Sequence, residues 1–311
     1  MNDAQNALAQ ATRLLLREGR LAIPSVGKGK TAERHRALAT FGRKDLALAR
    51  IVEAHTDAVS ILEEAGRERP RDALYGVWAA DAPNGQLHLV SNGGSLYLRG
   101  TKQYCSGSAF LDSALVTAHR GAELLLVEVP LRDAPISIDT SGWKSPAFAD
   151  TATGAVQFND VAIAPTQIVG THRWYLDRPG FWHGALGPAA CWAGGALGLI
   201  DAALGARRDN PHYLAHLGAL EAAAWGLSAM LDAAGREIDA DPNDETRSAR
   251  RRALSARHLI ERTCFDVMDH FGRATGPALL AFDASIAKRY SELTLYIRQC
   301  HAERDLHTLS S

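Results

Sequence analysis

Three consecutive residues in the stretch Gly100–Ala118, GTKQYCSGSAFLDSALVTA, offer chemistry: Tyr104, Cys105 and Ser106. The stretch reads as a strand, a small-residue turn and a second strand. Side chains alternate along a strand, so Tyr104 and Ser106 share one face and Cys105 takes the other. A ring beside a hydroxyl could wall a ligand pocket; the plainer reading is an ordinary strand with a surface tyrosine. A second set lies near the C-terminus: Arg298, Cys300, His301, Glu303, Arg304 and Asp305. A neutral imidazole there could take a proton. The plainer reading is a surface helix whose charges meet at i,i+3 and i,i+4 spacing. Arg207 and Arg208 form a third candidate, able to hold an anionic ligand or simply to solvate a helix end. His183, beside Trp182, is a fourth.

Other patterns are excluded. The four cysteines, Cys105, Cys191, Cys264 and Cys300, form no CxxC pair and no zinc spacing with histidine, so no metal is expected and they read as free thiols in a reducing compartment. The run HGALGPAACWAGGALG (183–198) follows no strand and lacks GxGxxG, so it is no dinucleotide loop; its small residues instead permit close helix packing. A net charge of −1 gives no field for nucleic acid or an anionic membrane, so any anion must be held locally. The N-terminus lacks the basic region of a signal peptide, and no apolar run approaches the roughly 20 residues of a bilayer span. A cytoplasmic location is expected.

The elements that must position these groups follow from periodicity. Residues 4–22 and 32–64 carry helical spacing, the latter with a break expected near Gly42, and 66–72 reads as a boundary. Between 73 and 170 short alternating runs appear at 74–80, 86–91, 95–99, 101–105, 112–119, 122–129, 135–138, 153–158 and 161–163. Turn signals stand at PNG (83–85), NGG (92–94), RG (99–100), RG (120–121) and FND (158–160). This spacing predicts an antiparallel barrel or sandwich. Helices are expected again at 181–208, 211–238, 248–272 and 280–309, the length pattern of a four-helix bundle. The expected fold class is therefore α+β, with a shortened N-terminal helical domain (1–72), a central β domain (73–170) and a C-terminal four-helix bundle (171–311).

Four segments carry a family resemblance: RKDLALARIVEAHTDAVSIL (43–62), LRGTKQYCSGSAFLDSALVTA (98–118), TGAVQFNDVAIAPTQIVG (153–170) and HFGRATGPALLAFDASIAKRYSEL (270–293). In this order they resemble the acyl-CoA dehydrogenase superfamily over about residues 38–309. The resemblance implies FAD as cofactor, an acyl thioester or related substrate, oxidation at a CH–CH group, and a homodimer or homotetramer. It gives Tyr104 the place of the aromatic ring over the flavin and Ser106 that of a hydroxyl near N5 and O4. Trp78 stands in a degraded flavin-pyrimidine turn, YGVWAADAP (75–83), where it supplies ring surface or packs plainly in the core. Arg207 falls where an arginine reaches the FAD pyrophosphate of the neighbouring subunit, with Asp209-Asn210-Pro211 replacing the usual turn. Arg273 and Gly276 stand towards the adenosine side.

The family's catalytic glutamate has two known places. One falls here at Cys300 or His301, the other at or near Ala185, and neither holds a carboxylate. Cys300 and His301 are thus the catalytic candidates, with Glu303, Asp305 and His183 behind them. Flavin monooxygenases of the same fold often place a histidine near this C-terminal position, so a monooxygenase is the first alternative to a dehydrogenase. A binding or scaffold homologue that has lost catalysis is the second.

Overall fold

Asn2 and Gln5 begin the first helix with a capping box, each side chain accepting from the other's backbone N–H at 3.1 and 2.9 Å. The computed structural model describes residues 1–82 and 85–310; Pro83 and Asn84 of the expected PNG turn lie outside them. In chain order α1 (Asp3–Arg17), α2 (Thr31–Lys44) and α3 (Leu46–Glu64) precede the strands. These are β1 (Tyr75–Trp78), β2 (Leu87–Asn92), β3 (Ser95–Cys105), β4 (Ser113–Arg120), β5 (Glu123–Pro130), β6 (Ile136–Asp139), β7 (Gly154–Ile163) and β8 (Ile168–Val169). Then come α4 (Trp174–Asp177), α5 (Pro179–Gly184), α6 (Leu186–Gly205), α7 (Pro211–Ala240), α8 (Ala249–Thr275), α9 (Pro277–Phe282), α10 (Ala284–Tyr296) and α11 (Ala302–Ser310).

Several boundaries differ from expectation. The break between α2 and α3 falls at Asp45, whose carboxylate caps Leu48 N–H at 2.8 Å, and not at Gly42, which stays helical. The expected turns at 99–100 and 158–160 are absorbed into the long paired strands β3 and β7, with a register shift between Leu98 and Arg99. Gly100 makes this possible. Its φ of +122° suits glycine, and a side chain there would run into the Gln86 carbonyl. The last expected helix, 280–309, is three helices, broken at Asp283 and at the extended Cys300.

Contacts divide the chain into two units. One unit is Met1–Ala22 with Ala54–Phe181; the other is Ile23–Glu53 with Trp182–Ser311. The first is built on an eight-stranded sheet of order β6-β7-β3-β2-β4-β5-β8, with β1 on β4. It is mixed where an antiparallel sheet was expected, because β1 and β2 pair parallel with β4. Six successive residues of β4, Ser113–Ala118, are buried, so that strand is covered on both faces and reads as a continuous run. Ala58, Ile61 and Leu62 of α3 pack with Tyr75, Leu115, Leu126 and Val169. Arg13 of α1 forks onto Asp112, both bonds at 3.1 Å, and so ties the N-terminal helix to this sheet.

The second unit is helical. Its central helix, α6, buries fourteen residues, many of them Gly or Ala, against α2 and α8. Gly194 faces the Ala39 carbonyl and Gly42 faces the Cys191 carbonyl, so the α2 and α6 backbones approach directly. Two helical stretches, 179–205 and 211–240, reach the length and composition of a membrane span, against the expectation of no such run. Within the first, 72% of the apolar window is buried in the fold; within the second, 22%.

Candidate functional site

In the first unit, a cavity of about 440 Å³ is lined by Gln103, Tyr104, Asp139, Trp143, Thr153 and the backbone at Ala82, Gly142, Gly154 and Ala155. Tyr104 is 61% exposed at φ +59°, and the β3–β7 register shifts between Lys102 and Cys105. Alternation therefore fails here: β3 ends at Cys105, and Ser106 lies beyond it in a turn, not one strand step from Tyr104. A non-glycine residue held at positive φ stores strain of about 1 kcal/mol or more, a cost found most often at ligand sites.

What holds Ser106 is a chain of hydroxyls. Its Oγ lies 3.0 Å from Thr153 Oγ1, which lies 2.7 Å from Thr151 Oγ1; Thr151 donates to the Phe148 carbonyl at 2.7 Å. Trp78 adds a backbone brace, its Nε1–H donating to the Ser106 carbonyl at 3.1 Å. Of the two readings of Trp78, packing is the one observed: its ring is buried and offers no ring surface, so its part is to place Ser106.

Lys102 was not singled out by the sequence reading and is the most constrained ion of this unit. Fully buried, its Nζ donates to Asp81 at 2.8 Å and to Thr117 at 2.6 Å. Burial alone would raise the Asp81 carboxyl, but the Lys102 ammonium and the His119 ring outweigh it and hold the group below its ordinary value. Lys102 so anchors the chain leading to Ala82 at the cavity edge. The signal in the sequence is a lysine inside an otherwise alternating strand. The Cys105 thiol, next along, is pushed by burial up to about 12 and stays protonated.

In the second unit the C-terminal candidates separate. Cys300 is buried, and that burial raises its thiol above the ordinary value. His301 has a side chain 55% exposed, and its backbone N–H donates to Asp305 at 3.3 Å. Partial burial and then Arg304 lower its imidazole, with Arg257 adding to this and Asp305 opposing. His183 is buried and bonded to the Pro242 carbonyl at 3.2 Å, a tether between helices. Arg207 is exposed on the turn after α6. Arg273 is exposed and paired to Asp269 at 2.7 Å one turn back. Gly276 ends α8 at φ +66° with open space around it. Asn210 caps α7, accepting from His212 and Tyr213.

No family model and no curated protein matches the chain. Solved structures do. KijD3, in complex with FMN and dTDP-3-amino-2,3,6-trideoxy-4-keto-3-methyl-D-glucose, superposes with a TM-score of 0.82 at 15% identity, covering 100% of this chain and 93% of that one. The nitrososynthase from Micromonospora carbonacea var. africana gives 0.81 at 17% identity, over 100% and 96%. Dibenzothiophene monooxygenase TdsC from Paenibacillus sp. A11-2 gives 0.75 at 16%, over 99% and 95%, and has been solved with FMN and indole. The fold is acyl-CoA dehydrogenase-like. In the helical unit, the buried Arg257 donates to the Ala185 carbonyl at 2.6 Å and to the Gln299 carbonyl at 2.8 Å.

Proposed function

We propose that the protein is a flavin-dependent monooxygenase using FMN. The observation that carries this reading is that neither place where the resemblance puts a catalytic glutamate, Ala185 or Cys300–His301, holds a carboxylate, while an imidazole, His301, stands at the second. Removing an α proton from a thioester needs a base of the kind absent there. A neutral histidine suits proton transfer to or from a hydroxyl or amine at pH 7. The monooxygenase name and the FMN complexes among the structural neighbours support it, so the dehydrogenase reading gives way to its alternative.

FMN replaces the FAD of the sequence expectation because the adenosine side is given to local structure. Arg273 pairs with Asp269, and Asn210 caps a helix where the resemblance implies an FAD-binding turn. The cavity at Tyr104 suits a planar ring ligand, with an exposed aromatic face and, in Thr153, a lining hydroxyl braced by Ser106. A reduced flavin bound there supplies the electrons that activate dioxygen. Within the sheet unit, the chain's own residues would hold its ring through Tyr104, with Thr153 in the cavity lining braced by Ser106 and Thr151. His301 of the helical unit is the proposed proton-transfer group. The flavin comes reduced from a separate reductase, and both proteins are placed in the cytoplasm.

The test is an oxygen electrode charged with a flavin reductase, NADH and FMN, with sulfur heterocycles, indoles and amino sugars as trial substrates. Substrate-dependent oxygen uptake is expected, tenfold or more below that level in H301A, and FMN should quench Tyr104-dependent fluorescence more tightly than FAD. Anaerobic bleaching of bound flavin by acyl-CoAs would restore the dehydrogenase. No binding of flavin in either redox state would leave only a scaffold.

The self-association implied by the resemblance has its proposed place on α7, whose apolar face is largely uncovered and carries Trp225 at 76% exposure. Sedimentation should show a dimer or tetramer that W225E dissociates. A wild-type monomer at tens of micromolar would rule this out.

A further inference from the structure

Arg257 sits in the middle of α8, 9% exposed, with its guanidinium 4.8 Å from the Trp192 ring centroid. Buried cations are ordinarily paired, because an isolated ion loses several kcal/mol of hydration on leaving water. Among the described residues no carboxylate lies within ion-pair distance of it. Glu261, one turn along the same helix and also buried, makes no ion pair with it. What it has are two neutral acceptors on separate segments: the Ala185 carbonyl just before α6 and the Gln299 carbonyl two residues before His301.

We infer that Arg257 is the positioning residue for His301: it ties the segment carrying the imidazole to the start of α6 and sets a fixed positive charge behind the ring. The inference rests on the monooxygenase reading only for its consequence in turnover; the tie itself is independent of it. The segment needs such a tie. The 3₁₀ turn Ile297–Gln299 ends at an extended Cys300, and α11 restarts at Ala302 with φ +36°, so no helical ladder carries through His301. A planar guanidinium can grip two carbonyls in fixed directions, where an ammonium would not. Its two amino groups are engaged by uncharged oxygens, and the carboxylates that act on its charge, Asp305 and Glu53, do so without an ion pair. The groups facing His301 are Arg304 and Asp305 on its own segment and Arg257 from α8, while Glu261 faces the adjoining Cys300. Partial burial, then Arg304 and Arg257, favour the neutral ring, and Asp305 opposes them. A substrate that becomes an oxyanion beside it is favoured by the same field.

The experiment is a histidine-ring NMR titration of wild type, R257M and R257K, with His301 assigned through H301Q. Wild-type His301 should titrate below the ordinary 6.5. In R257M its midpoint should move up; in R257K it should stay low while the backbone signals of 299–301 shift, because the charge remains and the fork is lost. In turnover, R257M should lose on the order of tenfold or more in kcat, with KM little changed, from misplacement of the acid–base group. A folded R257M with unchanged His301 titration overturns the inference. Should R257M not fold, R257K with wild-type signals at 299–301 overturns it. If the titration shifts as expected while no variant, wild type included, consumes oxygen with any substrate, the monooxygenase reading falls and the positioning role stands.

Discussion

Between pH 6.5 and 4 the folded protein should lose on the order of 3 kcal/mol for each of two buried histidines, His35 and His55. Each is 1% exposed, and burial, the largest cause in both, lowers the ring from 6.5 to about 4. For His35 the carbonyl of Leu231, which accepts its Nδ1–H at 3.0 Å, only partly opposes this. For His55 the nearby Arg69 adds to it, and Nδ1 accepts the Tyr75 N–H at 3.1 Å, a bond that protonation destroys. The sign follows from linkage. The unfolded chain binds these protons at the higher pH, so the stability is complete above 6.5, drains as pH falls and is gone below about 4. His35 lies in the helical unit and His55 in the sheet unit, so both units should soften together. Urea midpoints at pH 7.5, 6, 5 and 4.5 check this. A flat profile to pH 5 would show that the rings are not buried neutral, and H55Q should flatten part of the slope.

Gly194→Ala should cost about 3 kcal/mol or more, a large share of an ordinary stability of 5–15 kcal/mol. A Cβ at this position falls inside the Ala39 carbonyl oxygen and 2.8 Å from the Arg43 nitrogen. Both are backbone atoms of a helix, so no rotamer change relieves the overlap and α2 must move off α6. Gly226, in the middle of α7 with nothing within 4 Å, is the control. There Ala should stabilise by ~0.5–1 kcal/mol, since a helical glycine carries the larger entropy loss. Chemical denaturation of the two variants beside wild type decides it: equal midpoints for G194A and wild type would mean the helices do not approach as described.

The G194A argument also shows how far the sequence could be read. The Gly/Ala run at 183–198 was recognised as a close-packing face because it had no strand before it and no phosphate-loop spacing. What it packed against was not legible: α2 lies some 150 residues earlier, and small residues name no partner. Helix α7 shows the opposite failure. Its apolar composition suggested a bundle core, yet most of that face is uncovered, because composition does not say how many sides of a helix will find neighbours.

The candidate site divides in the same way. Local spacing determined most of the strands and the order of helical and β segments. The resemblance drew attention to Tyr104, which lines a cavity, and to the two places for a glutamate at which this sequence has none. Tertiary structure alone decided that Trp78 braces the Ser106 carbonyl and that Cys300 is buried. It decided too that Lys102 is buried against Asp81 and Thr117, and that one arginine grips the carbonyls of Ala185 and Gln299. The physical reason is range. Alternation, caps and turns act over a few residues and leave a periodic trace in the chain. Burial, a thiol's proton affinity and the acceptors of a guanidinium are set by residues tens to a hundred positions away, and only the folded chain brings those together.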